Sequence, residues 1–197
     1  MFDVDGVPIC HPDPAGWSVH LHRDLGLSPD ILQEAFFKPH WDDVIHGRAG
    51  LRERLAPVLV EIAPHLDCAR LIEYWFAADA HLNRPLLAEV EALRKRGLPV
   101  HLATLQEHER ARYLWDVLDF GSRFDAMHYA ADLGAAKPNR DFFVRIEQRT
   151  GLAPADLFLV DDRPRNVEAA RACGWGAAHW TGQCSLHDML VDVLGRV

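Results

Sequence analysis

Four carboxylates stand in two short motifs of this chain. Asp3 and Asp5 flank one residue near the start, and Asp161 and Asp162 end the apolar run at residues 157–160. If the two motifs end neighbouring strands of a parallel sheet, their carboxyl groups converge at one edge. So much negative charge in one place is unfavourable unless a cation neutralises it. Oxygen ligands of this kind suit Mg²⁺, so the pattern predicts a magnesium site.

Two further side chains could hold the oxygens of a phosphate. Thr104 follows the mostly apolar run at residues 99–103, and Lys137 lies in a later loop. A hydroxyl and an ammonium group are both donors for a phosphate oxygen. Thr104 is also a candidate N-cap for a helix beginning near Glu107.

Short apolar runs alternate with helix-like stretches through the second half of the chain. We predict strands at residues 99–103, 126–130, 157–161 and 177–180. Helical spacing of apolar residues separates them, with Gly97 and Gly151 as helix stops and Pro164 in a first helical turn. Such alternation predicts crossover connections and a parallel sheet, with the site at the carboxyl ends of the strands.

Residues 7–82 have a different pattern. The stretch contains helical periodicity and no convincing strand. We therefore expect an all-helical insertion between the first strand and the rest of the sheet.

Composition limits the classes of partner. The chain has 197 residues, of which 49% are apolar, and a formal net charge of −8. An acidic chain without a basic stripe is a poor nucleic-acid binder, although a local basic pocket could still hold one small phosphate. No apolar run approaches the roughly 20 residues that span a bilayer. We expect a cytoplasmic protein with no nucleic-acid or membrane partner; the sequence leaves the oligomeric state open.

Four segments together resemble the motifs of haloacid dehalogenase-like (HAD) hydrolases. They occur in family order and frame the whole chain. In sequence they are residues 3–7 (DVDGV), 102–104 (LAT), 134–138 (GAAKP) and 161–166 (DDRPRN). A single D-x-D-G would be a weak signal, whereas four ordered motifs are a strong one.

The resemblance implies a fold and a domain organisation. We expect a doubly wound, Rossmann-like parallel-sheet core at residues 1–6 and 83–197. Residues 7–82 would form the helical cap of the subfamily whose insertion follows the first motif. Such a cap would close over the site and limit substrates to small phosphorylated metabolites.

The resemblance also implies roles. Asp3 would be the nucleophile, and Asp5 the general acid and base. Mg²⁺ would be bound by the Asp3 carboxylate, the Asp5 carbonyl and Asp162, with Asp161 beside it. The remaining predicted site residues bind phosphate or support the site: Thr104, Leu105 and Lys137 would hold the phosphoryl group, and Asn166 would position Lys137 or the metal shell.

Two departures from the family pattern accompany these roles. Only two residues precede Asp3, so we expect either that the true start lies upstream or that the central strand is short. Leu105 stands where relatives commonly have Asn, so a phosphate contact there would come from its backbone N–H.

The resemblance implies a Mg²⁺-dependent phosphatase that hydrolyses a small phosphorylated metabolite through an aspartyl-phosphate, and the sequence leaves two other functions open. A phosphomutase of the same superfamily uses the same core, and a non-catalytic binding module could retain the same fold. A haloacid dehalogenase is disfavoured, because such enzymes lack the second aspartate of the first motif, here Asp5.

Overall fold

The centre of the protein is a parallel sheet. The computed structural model describes residues 1–13 and 16–194. Its strands are β1 His101–Thr104, β2 Ala126–Tyr129, β3 Phe158–Asp161 and β4 Gly176–His179. β1 pairs with β2 and β3 with β4, both in parallel. These strands coincide within about two residues with those predicted from the sequence.

The first residues of the chain join the two halves of this sheet. Phe2 forms parallel bridges to Leu102 in β1 and to Val160 in β3. Its N–H donates to the His101 carbonyl at 2.9 Å, and its carbonyl accepts from Ala103 at 2.8 Å. The spatial order is therefore β2, β1, the start of the chain, β3 and β4. The expected short central segment thus makes ladder hydrogen bonds on both sides.

Helices cover both faces of the sheet. The helices of the described residues are, in chain order, α1 Leu21–Leu25, α2 Pro29–Leu32, α3 Lys38–Ile45, α4 Leu51–Ile62, α5 Cys68–Ala78, α6 Arg84–Lys95, α7 His108–Arg112, α8 Phe120–Arg123, α9 Ala130–Leu133, α10 Arg140–Thr150, α11 Pro164–Ala172 and α12 Leu186–Leu194. A π-helical turn at Gln33–Phe37 joins α2 to α3, and another at Tyr113–Val117 extends α7. Short 3-10 turns occupy Trp17–His20 and Pro154–Asp156.

Alternate side chains of each strand lie on opposite faces of the sheet, and each face packs into its own hydrophobic core. Leu102 and Val160 pack with α6, α8 and α12, whereas Ala103 and Leu159 pack with α10 and α11. This period of two is what a strand buried on both faces requires. The three layers confirm the expected doubly wound α/β fold.

Helix ends follow the local sequence signals. Gly151 ends α10 in the left-handed conformation with φ of 70°, which glycine adopts without a Cβ penalty. Pro164 opens α11, where the missing N–H of proline is harmless.

Helices α1–α5 pack around a core of their own. Its aromatic centre holds Trp75, which stacks on Trp17 with ring centroids 5.0 Å apart and also contacts Phe37 and Trp41. Val7 and Ile9, at the start of the predicted insertion, pack instead with the sheet. The division of the chain at residues 6 and 82 stays a prediction.

Two connections link this helical region to the sheet, and they are hydrogen-bonded to each other. The backbone N–H of Cys10 donates to the His81 carbonyl at 2.9 Å, and the backbone N–H of Asn83 donates to the Pro8 carbonyl at 2.8 Å. Arg110, buried on α7, donates to the carbonyls of Phe76 and Asp79 at the end of α5. One side chain from α7 therefore satisfies two of the carbonyls around the end of α5.

The part of the chain that the structure describes contains no helix with the length and apolar character of a membrane span.

A buried histidine on β2 makes stability depend on pH. Burial, reinforced by His101, lowers the pKa of His128 to about 4, from an ordinary value of about 6.5. Between these values the unfolded chain binds a proton at His128 and the folded chain does not, so stability falls as pH falls. Between pH 7 and pH 5 we expect the free energy of unfolding to fall by about 1–3 kcal/mol more in the wild-type protein than in His128→Leu. Urea unfolding at the two pH values measures this difference.

The matched control is His22→Leu, since His22 is an exposed histidine on α1. This control should keep the wild-type pH dependence. An unchanged pH dependence in the His128 variant would show that His128 is not the titrating group.

Candidate active site

Asp3 lies at the carboxyl end of the central segment and is buried. The Val4 N–H donates to its Oδ1 at 2.7 Å, and the Lys137 ammonium lies 3.0 Å from the same oxygen. Its Oδ2 accepts no hydrogen bond within the described ranges. Burial raises the pKa of Asp3; Lys137 opposes this shift, while Asp161 and Asp5 add to it. The charged form of Asp3 is therefore disfavoured in this site, and Lys137 offsets that effect only in part.

Lys137 uses all three of its donors inside the protein. Its side chain is fully buried, and it donates to the Ala103 carbonyl at 2.8 Å and to Asp161 Oδ2 at 2.6 Å, besides its contact with Asp3. An ammonium group has three hydrogens, so the set is complete. One side chain thus joins the ends of β1, β3 and the central segment.

Asp161 is held by donors on both oxygens. Lys137 contacts Oδ2, the Arg163 N–H donates to Oδ1, and the Asn166 amide donates to both oxygens at 2.9 and 3.1 Å. Asn166 was expected to support either Lys137 or the metal shell; its amide donor contacts Asp161. A carboxylate with this many donors is fixed in orientation and has little free capacity for a cation.

Asp162 differs from its neighbour. Its Oδ1 is buried and has no hydrogen-bond partner among the described residues. Burial, with Asp161 next in effect, raises its pKa. Gly6 lies against this carboxyl group: with φ of 82°, a Cβ there would stand 2.5 Å from Asp162 Cγ. Only glycine leaves the carboxylate room at this position.

Three carboxylates meet closely enough to share one metal ion. Ligand oxygens of Asp3, Asp161 and Asp162 all lie within 4.8 Å of one another. With all four groups ionised, three negative charges against the one positive charge of Lys137 leave two negative charges. One divalent cation offsets that excess, and carboxylate oxygens are the ligands that Mg²⁺ prefers. The unpartnered Asp162 oxygen fits such an ion.

Asp5 contacts a residue that the motifs did not indicate. Gln106 Nε2 donates to Asp5 Oδ2 at 2.8 Å and lies 3.5 Å from Thr104 Oγ1. Thr104 is fully buried at the end of β1, and Leu105 beside it is half-buried. The cap of α7 is Glu107, which accepts from Glu109 and Arg110, so the alternative role of Thr104 as that cap is wrong.

The structure thus brings most of the sequence-predicted residues together. Asp3, Lys137, Asp161 and Asn166 form one chain of contacts, with Asp162 at its edge. Gln106 was missed because it lies outside the motif residues. Its polar side chain at the same strand end as Thr104 was the available signal.

The sequence of the chain is similar to that of known hydrolases. A family model described as haloacid dehalogenase-like hydrolase matches residues 28–174. The phosphoglycolate phosphatase of Escherichia coli strain K12 is 30% identical over 83 residues, which cover 42% of this chain. The match spans only 33% of that relative's length.

A second relative matches over most of its length. The phosphorylated carbohydrates phosphatase of Thermotoga maritima is 22% identical over 192 residues, covering 91% of this chain and 84% of that protein.

A solved structure shares the fold. It is a HAD family enzyme of Bacteroides thetaiotaomicron, an Asp-to-Ala variant in complex with magnesium and inorganic phosphate. Its TM-score is 0.79 at 14% identity, covering 99% of this chain and 97% of that one.

The contact between Gly6 and Asp162 generates a prediction. Gly6→Ala places a methyl group against the carboxylate and should displace Asp162 from its position. We expect the Mg²⁺ concentration needed for a given rise in melting temperature to increase by about tenfold or more, which corresponds to the loss of about 1.4 kcal/mol of binding free energy. A Mg²⁺ titration followed by thermal melting measures it.

Gly97→Ala separates this effect from backbone strain. Gly97 has nearly the same conformation, with φ of 86°, but a Cβ there meets no atom within 4 Å. Both variants should lose about 1 kcal/mol through the left-handed backbone. Only Gly6→Ala should alter the Mg²⁺ response; an equal response in both variants would contradict the assignment.

Proposed function

Since the chain belongs to the haloacid dehalogenase-like hydrolase family, we propose that it is a Mg²⁺-dependent phosphatase. It would hydrolyse a small phosphorylated metabolite through an aspartyl-phosphate on Asp3. The observation that carries the proposal is the buried contact of Asp3 with Lys137 beside Asp162, whose buried Oδ1 has no hydrogen-bond partner among the described residues. This arrangement offers a nucleophile, a fixed positive charge and a place for a cation.

Asp3 is the proposed nucleophile. Among the described residues, the hydrogen bond and the ion pair of its carboxylate are both made through Oδ1. This leaves Oδ2 as the oxygen that attacks phosphorus. Holding one oxygen by the Val4 N–H orients the other towards the site. Orientation of this kind lowers the entropy cost of reaching the transition state.

The metal would be held by Asp3, Asp162 and the backbone carbonyl of Asp5. Asp161 would sit beside it and act through water, because its oxygens already accept from Lys137, Asn166 and Arg163. When bound, Mg²⁺ offsets the charge of the carboxylates and of the phosphoryl oxygens.

Thr104, the Leu105 N–H and Lys137 would hold the phosphoryl group. Lys137 keeps contact with Asp161 and Ala103 throughout. When Asp3 becomes an acyl phosphate its carboxylate loses its negative charge, so the Lys137 hydrogen that faced it can turn to a phosphoryl oxygen.

Asp5 would carry the proton in both half-reactions. Its carboxyl group gives a proton to the leaving alcohol as Asp3 takes the phosphoryl group. Its carboxylate then takes a proton from the water that attacks the aspartyl-phosphate.

The helical region would set the substrate. As a lid over the strand ends it would exclude water and contact the part of the substrate that does not react. The names of the two relatives, a phosphoglycolate and a phosphorylated carbohydrates phosphatase, support a small phosphorylated metabolite. We propose residues 7–82 as this cap and residues 1–6 and 83–197 as the core.

A direct assay tests the function. Purified protein should release 4-nitrophenol and inorganic phosphate in equal amounts from 4-nitrophenyl phosphate with Mg²⁺, and should stop when EDTA is added. A panel of phosphorylated two- to six-carbon metabolites then identifies the substrate class. Phosphate transfer to a second substrate hydroxyl without release would indicate a phosphomutase; inactivity on every ester would indicate a binding module.

Asp3→Asn should abolish turnover while the fold stays intact. The amide is nearly the same size but is no nucleophile, so we expect a loss of at least about 1,000-fold in kcat. The control is Asp30→Asn, the same change at an exposed position on α2, which should keep wild-type activity. Retention of activity in the Asp3 variant would remove Asp3 from the mechanism.

A further inference from the structure

Gln106 is a buried amide that none of the proposed steps uses. Its side chain is held at the end of β1, and its backbone carbonyl accepts from the Ala131 N–H at 3.1 Å. From this anchored position the amide reaches Asp5 Oδ2 at 2.8 Å. The contact spans 101 residues of sequence, so it is a product of the fold and of no local motif.

The contact is compatible with both protonation states of Asp5. The Gln106 amide presents its N–H to Asp5 Oδ2, and this oxygen can accept that bond both in the carboxylate and in the acid whose proton is on Oδ1. Asp5 Oδ2 is therefore occupied. Asp5 Oδ1 is buried and has no hydrogen-bond partner in the described part of the chain.

We infer that Gln106 is a positioning residue for the general acid and base: it holds Asp5 Oδ2 and leaves Oδ1 to carry the proton. The inference rests on the proposed phosphatase function and deepens it. It gives each oxygen of Asp5 one task, which the family motif does not do.

The proton balance follows from this assignment. In the first step the Asp3–phosphorus bond forms, the bond from phosphorus to the leaving oxygen breaks, and the Oδ1 proton passes to that oxygen. In the second step water bonds to phosphorus, the Asp3–phosphorus bond breaks, and a water proton returns to Oδ1. Without the Gln106 N–H, the carboxyl group rotates more freely and Oδ1 is misaligned in both steps.

A competing role would act through Thr104. Gln106 Nε2 also lies 3.5 Å from Thr104 Oγ1, which is too long for a strong hydrogen bond. If Gln106 mainly oriented Thr104, its loss would weaken phosphate binding for every ester alike. Loss of Asp5 alignment should instead harm most those esters whose leaving oxygen needs a proton.

Two esters of the same shape distinguish these roles. Phenyl phosphate has a poor leaving group that needs protonation, whereas 4-nitrophenyl phosphate has a good one that needs little. We expect Gln106→Met to lower kcat/KM for phenyl phosphate by about 10–100-fold, within the range that general acid catalysis contributes. For 4-nitrophenyl phosphate we expect a loss below about threefold in kcat/KM, with a burst of 4-nitrophenol because the second step still needs Oδ1 as a base.

Two further variants test whether Gln106 acts through Asp5. Gln148→Met makes the same change at an exposed position on α10 and should leave both esters unaffected. In an Asp5→Asn background, Gln106→Met should cause no further loss with phenyl phosphate.

The outcomes separate the inference from the function on which it rests. If the wild-type protein hydrolyses both esters and Gln106→Met lowers kcat/KM equally for both, the inference is overturned and the proposed function stands. Independent, multiplicative effects of the Asp5 and Gln106 changes would also overturn the inference. Failure of the wild-type protein to hydrolyse either ester would overturn the proposed function and the inference together.

Discussion

Lys137 carries a positive charge into a fully buried position where three parts of the chain end. Its three hydrogens go to Asp3, Asp161 and the Ala103 carbonyl, at 3.0, 2.6 and 2.8 Å. A buried ammonium group is tolerated only when its charge and its donors are matched. The strand ends must therefore stay in register, because a shift of one residue would leave either the lysine or a carboxylate unpaired.

The same charge balance gives each carboxylate a different role. Lys137 and Asn166 saturate Asp161, which makes it a fixed part of the framework. Asp162 keeps an unpartnered buried oxygen, and this stays unfavourable until a cation approaches. The site therefore combines a rigid half around Lys137 with an edge that a metal completes. Gly6 belongs to that edge because it alone gives Asp162 the room it occupies.

Much of the fold was predictable because its signals are local. The strand at β3 is an apolar run directly before Asp161, and α10 ends at a glycine with positive φ. Both features follow from residues close in sequence. The pairing of the first residues between β1 and β3 was also predictable, but only through the motifs that Asp3 and Asp161 share with a family. The packing of Val7 and Ile9 with the sheet was not, since nothing in a short apolar segment says which core it joins.

The sequence by itself determined the chemical types at the site and the strands that carry them: carboxylates, a lysine and a threonine, each directly after or between apolar runs. The tertiary structure alone decided which atoms meet. Asn166 contacts Asp161, Gln106 contacts Asp5 across 101 residues, and Glu107 caps α7 in place of Thr104. Residue type and period describe what a side chain can do, whereas a hydrogen bond depends on distances of a few tenths of an ångström. Those distances are set by the packing of the whole sheet and its helices, which no single segment of the sequence contains.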